Sequence, residues 1–212
     1  MARVSFKELA PEVLSVAAAC PVPTIVRTLR ATAIDLAQRT ECMRFMIPKT
    51  YAPAGSATVE IPVPCDMVLV APQRLTTGGG DYLEPISLGL LEGDMADLDT
   101  VGTPTNWIRS SNSINQIILY PCPAADVYLT GQVAVKPSRD AQEIEEIYLD
   151  RYQQILVDGA LARLLAVPSA PWYDGKVAAY HKSVYESQLD EARQVAEMDD
   201  VPKRRVMKYG GI

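Results

Sequence analysis

Residues 159–172 read Gly-Ala-Leu-Ala-Arg-Leu-Leu-Ala-Val-Pro-Ser-Ala-Pro-Trp, and no other run in the chain restricts the fold as much. Gly159 and the alanines at 160, 162 and 166 are small enough to let a neighbouring helix approach closely. Pro168 and Pro171 stop that helix, and Asp174 stands ready to cap the next. The pattern predicts a buried helix hairpin, a feature that serves packing rather than chemistry.

Helical periodicity recurs at both ends of the chain. Residues 23–44 place Ile25, Val26, Leu29, Ala33, Leu36 and Ala37 at three-to-four spacing, with Arg27, Arg30, Asp35, Gln38 and Arg39 largely on other faces. A shorter helical pattern over residues 6–19 is expected to be interrupted by Pro11, and Cys20-Pro-Val-Pro23 separates the two. After Pro137, the acids Asp140, Glu143, Glu145 and Glu146 suit the first turns of a helix, where they complement exposed amide dipoles. Ile144, Tyr148, Tyr152, Ile155, Gly159 and Ala162 then form one stripe, and Leu149, Leu156, Ala160 and Leu164 a second, which puts this helix in the middle of a bundle. A final helix over about 174–198 carries Ala178, Val184, Tyr185, Leu189, Ala192 and Val195 on its inner face.

Between these ends the pattern changes. Thr58-Val-Glu-Ile-Pro-Val63, Met67-Val-Leu-Val-Ala71, Gln116-Ile-Ile-Leu-Tyr120 and the run 127–135 are short β-type segments broken by proline, glycine and asparagine. The expected fold class is α+β. An antiparallel helical bundle forms from residues 1–46 and 139–199, a small antiparallel β-domain is inserted at 47–138, and residues 200–212 make an extended arm.

Charge narrows the function classes. Twenty Lys and Arg against 26 Asp and Glu give −6, the wrong sign for a general nucleic-acid binder. Residues 1–49 hold seven bases and four acids, whereas 75–108 contain six acids, Asp81, Glu84, Glu92, Asp94, Asp97 and Asp99, and no base. Opposed patches of this kind can set head-to-tail contacts in a closed ring, which makes Arg27, Arg30, Arg39, Asp94, Asp97 and Asp99 candidate subunit-interface charges. The N-terminus lacks a signal-type apolar core and no segment approaches a membrane span of ~20 apolar residues, so synthesis and folding in a cytoplasm are expected, with no membrane partner. Cys20, Cys42, Cys65 and Cys122 lack the close spacing of a metal or redox pair and read as reduced thiols.

Catalytic motifs are sparse. His181, the only histidine, has no Gly-x-Ser-x-Gly elbow to serve and reads as a packed or surface residue. The acids from Glu92 to Asp99 lack the central glycine and closing glutamate of a calcium loop, and Gly78-Gly-Gly80 lacks the lysine of a phosphate loop. No cofactor or metal is expected. The tail combines Lys203, Arg204, Arg205 and Lys208 with Val206, Met207, Tyr209 and Ile212, and it reads equally as an arm that orders on a partner or as a frayed end.

The opening Phe6-Lys-Glu-Leu-Ala-Pro-Glu-Val-Leu14, then Cys20-Pro and Leu29-Arg-Ala-Thr-Ala33, resembles the start of phage head-to-tail adaptor (connector, or head completion) proteins. Gly102-Thr-Pro104 before Trp107, Ile117-Ile-Leu-Tyr-Pro121, Lys136-Pro-Ser138, and Gly159-Ala-Leu-Ala-Arg-Leu-Leu165 through Pro171-Trp172 follow in that family's order. The resemblance implies a structural virion protein of the neck. Multiple copies, twelvefold by that resemblance, would form a ring under the portal, extend the DNA channel without sequence-specific binding, and offer a platform to tail or nozzle proteins. It also implies that Lys203, Arg204, Arg205, Lys208, Tyr209 and Ile212 contact the portal. A tail-tube or tail-completion protein, or a metal-dependent hydrolase using the aspartates around 94–99, are the alternatives at this stage.

Overall fold

Serine and proline set where the first elements begin in the computed structural model, which describes residues 2–87, 100–110 and 113–200. After a short strand, β1 (Arg3–Ser5), the Ser5 hydroxyl accepts the Lys7 N–H and caps a 3-10 turn over Phe6–Leu9. Pro11 then sits in the first turn of α1 (Ala10–Val16). A proline there removes no intrahelical hydrogen bond, so it starts a helix where the sequence pattern predicts an interruption. The next helix, α2 (Val22–Thr40), buries Ile25, Leu29, Ala33, Leu36 and Ala37, and it ends where Glu41 turns left-handed at φ 52°.

Two compact units result: Met1–Cys42 with Glu145–Ile212, and Met43–Ile144. In the first, α2 packs on α3 (Glu146–Leu164) and α4 (Gly175–Asp200), which also pack on each other. Six consecutive residues of α3, Leu156 to Leu161, are buried, so this part of the helix is enclosed on all sides, whereas Ile147, Asp150, Arg151 and Gln154 nearer its start are exposed. Only Glu146 of the four expected acids lies in its first turn. Glu143–Glu145 is instead a strand, β11, in which Ile144 is buried and Glu143 exposed; the two-residue alternation outweighs the helical preference of the acids. The α3–α4 connection is tied by the Trp172 indole N–H, which donates to the Leu164 carbonyl at 3.2 Å. Asp174 Oδ1 then accepts the N–H groups of Lys176 and Val177, each at 3.1 Å. On α4 the buried stripe is Ala178, Tyr185, Leu189, Ala192 and Ala196, with Val195 turned outward.

The second unit is built on a seven-stranded sheet. Its strands are β2 (Arg44–Ala52), β3 (Thr58–Glu60), β4 (Met67–Thr77), β5 (Tyr82–Pro85), β7 (Asn106–Arg109), β8 (Gln116–Tyr120) and β10 (Val127–Pro137), in spatial order β2-β10-β4-β5-β7-β8-β3. A separate pair joins β6 (Val101–Gly102) to β9 (Cys122–Pro123). The sheet is antiparallel except between β5 and β7, which run parallel, as do β6 and β9. Parallel neighbours cannot be joined by a tight hairpin turn, so β5 and β7 are well separated in sequence.

Strands β4 and β10 form the spine of the sheet and pair antiparallel along their length. Gly131 of β10 has φ 151°, and a Cβ there would stand 1.8 Å from the Arg74 carbonyl oxygen, so only glycine permits this approach. The β4–β5 hairpin turns at Gly78–Gly80, closed by Thr77 N–H donating to Asp81 O at 2.9 Å. Leu75, Ile117, Leu119, Leu129 and Val133 are fully buried. The two end strands of the order, β2 and β3, approach each other and flank an open groove of about 390 Å³.

Candidate interaction surfaces

The one histidine is bonded within the helical unit. His181 Nδ1 lies 2.8 Å from Asp158 Oδ1, and Asp158 Oδ2 accepts Gln154 Nε2 at 3.0 Å. Asp158 is buried, and the Tyr180 ring meets the imidazole edge-on at 5.3 Å. Both carboxylate oxygens are therefore engaged, Oδ1 joining α3 to α4 and Oδ2 bonding within α3. Among the described residues, no three His, Cys, Asp or Glu side chains are grouped to hold a metal ion. Cys20, Cys42 and Cys122 are buried thiols and Cys65 is exposed; burial pushes Cys42 and its neighbour Tyr152 up from their ordinary values.

Of the candidate interface charges, Arg27 is exposed and Arg30 half-buried on α2. Arg39 is clamped within its own chain, donating through both terminal nitrogens to Glu186, with Nη1 at 3.0 Å. Asp35 sits beside it and links Arg163 at 2.9 Å and the Tyr185 hydroxyl at 2.8 Å. Burial, followed by the bond to Asp35, pushes the Tyr185 phenol upward. Asp94, Asp97 and Asp99, and the arm residues Lys203, Arg204, Arg205, Lys208, Tyr209 and Ile212, lie outside the described residues.

The sheet register assembles a surface that the sequence reading does not single out. Tyr128 of β10 pairs with Tyr51 of β2, Gln132 with Met46 and with Arg74 of β4, and Thr76 of β4 with Tyr82 of β5. Their inward neighbours Leu129, Ile47, Leu75 and Leu83 are buried, so the first group points outward by strand alternation. Four large side chains thus stand on one face with high exposure: Met46 at 65%, Tyr51 at 50%, Tyr128 at 41% and Tyr82 at 68%. The Tyr51 and Tyr128 rings are 5.6 Å apart, and the Lys49 ammonium sits 4.0 Å over Tyr128. Asp126 braces the cluster: the Ala54 N–H at 3.0 Å, then the Tyr51 hydroxyl, hold its carboxyl below the usual range, and the same hydroxyl bond pushes Tyr51 up.

A second concentration of charge lies elsewhere on the sheet unit. Burial, and then the like charges of Arg109 and Arg139, push Lys136 down from its ordinary value. Polar and aromatic surfaces with fixed side chains are what these arrangements supply, and surfaces of this kind are suited to binding other macromolecules. None of the described helices is long and apolar enough to cross a membrane. The family model described as SU10 adaptor protein matches residues 5–206. No curated protein matches the chain.

Proposed function

The chain belongs to the SU10 adaptor protein family, a family of phage head-tail adaptors, and from that membership we propose that copies of it form a ring beneath the portal. Membership implies a structural role in the neck of the virion. In the proposed assembly the ring extends the DNA channel and presents a platform to tail or nozzle proteins, without catalysis and without sequence-specific contact to DNA. Twelve copies match the family resemblance. The observation that carries the reading is the match over residues 5–206, which takes in both compact units.

The arm residues Lys203, Arg204, Arg205, Lys208, Tyr209 and Ile212 are assigned to the portal contact. The family match ends at residue 206, so for Lys208, Tyr209 and Ile212 the assignment rests on the tail's mixture of basic and apolar side chains. Negative-stain electron microscopy of the protein mixed with the portal ring from the same phage tests both statements. An added ring of density is expected for the full chain and none for a chain lacking residues 202–212, whose circular dichroism stays native. Bare portals at high concentrations of the full chain would overturn the ring, and decoration by the truncated chain would overturn the arm.

A further inference from the structure

We propose that the flank of α4 turned away from α2 is a lateral contact of the ring, and that it receives the outward stripe of α2 from a second copy of this chain. The inference rests on the ring reading given above and assigns the two surfaces through which neighbours meet.

The sequence pattern puts Val184 and Val195 on the inner face of the last helix, but neither is among its buried residues. They belong to a second stripe, in which Val177, Tyr180, Val184, Val195 and Met198 follow at helical spacing, with Gln188 and Glu191 completing it. Val177 and Val184 are half-buried, and Tyr180, Val195 and Met198 are exposed. At about 100° per residue, Val184 lies about 160° round the helix from Glu186, through which α4 bonds Arg39 of α2. One apolar stripe joins an amphipathic helix to its bundle. A second one, which its own chain leaves open, marks a surface for another molecule.

Charge selects the occupant. The stripe carries one acid, the exposed Glu191, and no base. Gln188 Oε1, in the same stripe, is buried with no hydrogen-bond donor among the described residues, and a guanidinium set on the stripe supplies one once the amide turns. Packing α4 on α4 of another copy would bring no cation to either acceptor. α2 provides the complement. Its outward stripe, Pro23, Arg27, Arg30, Ile34 and Gln38, has two bases and no acid, with Arg27 exposed and Ile34 half-buried. The one acid of α2, Asp35, is bonded within its own chain to Arg163 and Tyr185. Asp35 and Arg39, the α2 residues bonded to α4, stand on a different side of the helix from this stripe. Each copy thus has two unlike surfaces on different sides of one compact unit, a heterologous pair that can close a ring.

Charge reversal in the full-length chain tests the pairing. Arg27→Glu alone and Glu191→Arg alone each set like charges at the contact, whereas the double variant restores opposite charges with their places exchanged. Sedimentation velocity over a concentration series, alone and with the portal ring, reads assembly. Each single variant is expected to need about tenfold or more protein to assemble, and the double variant to assemble as wild type does. Tyr180→Ser with Met198→Ser should weaken assembly similarly. All four positions are exposed, so melting temperatures should stay at the wild-type value. If wild type fails to assemble even on the portal, the ring reading falls and takes this contact with it. If wild type assembles and the single variants do so equally well, the contact alone is wrong. Single variants that fail and a double variant that stays defective would mean that Arg27 and Glu191 do not meet, which also overturns the proposal.

Discussion

A β-carbon placed on Gly159 would stand 2.5 Å from Thr32 Cγ2 and 2.7 Å from Tyr185 Cε2, inside the range where side chains pack. Alanine improves helix propensity by about 1 kcal/mol over glycine, but overpacking of a tight core costs about 1–3 kcal/mol. The clash should prevail. Gly159→Ala is expected to lower stability by up to about 2 kcal/mol in a urea titration, and an unchanged or raised midpoint would mean that α2 and α4 can move off α3. Glu186 gives a prediction with the opposite exposure. Its bond to Arg39 holds the carboxyl below the ordinary range, so the stabilisation is present above the ordinary glutamate value of about 4.3 and is lost as pH falls through the folded-state value. Both side chains are 43% exposed, and the pair is therefore worth only about 0.2–1 kcal/mol. Glu186→Gln should show that deficit at pH 7 and converge with wild type in acid; a deficit that persists in acid would assign the effect to packing.

At the scale of elements, the α3–α4 hairpin is the most legible part of the sequence, because small residues, two prolines and an aspartate are local signals that tertiary context did not override. Asp174 accepts two N–H groups at the start of α4, and Asp174→Ala should cost about 1 kcal/mol in a thermal melt, whereas no change would mean that the Trp172 tie alone fixes the turn. Less legible were positions where two local rules compete. Pro11 can break a helix or begin one, and only the 3-10 turn at Phe6–Leu9 decides that it begins α1. Glu143 and Glu145 favour helix starts, yet burial of Ile144 between them makes a strand. The parallel pairing of β5 with β7 depends on residues far apart in sequence, which no period within either strand encodes. For the same reason the outward tyrosines escaped notice: Tyr51, Tyr82 and Tyr128 become one surface only through register.

For the whole molecule, the charge imbalance of 75–108 was visible from composition alone, while the outward tyrosine face was not. The unit Met43–Ile144 draws its buried apolar residues from its own strands and has the length of a small domain. Residues 43–144 produced alone should give β-type circular dichroism and a cooperative melt, and a non-cooperative melt would show that this unit depends on the helices. The helical unit is divided in sequence, Met1–Cys42 before that stretch and Glu145 onward after it. On a ribosome adding roughly 5–20 residues per second, Thr32 emerges about 8–31 s before Tyr185, its neighbour at Gly159. For most of that interval the apolar face of α2, with Ile25, Leu29 and Leu36, has neither α3 nor α4 to cover it, and α3 emerges only shortly before α4. The sheet unit is complete well before the helices are, so the order of birth along the nascent chain leaves the helical core to close last.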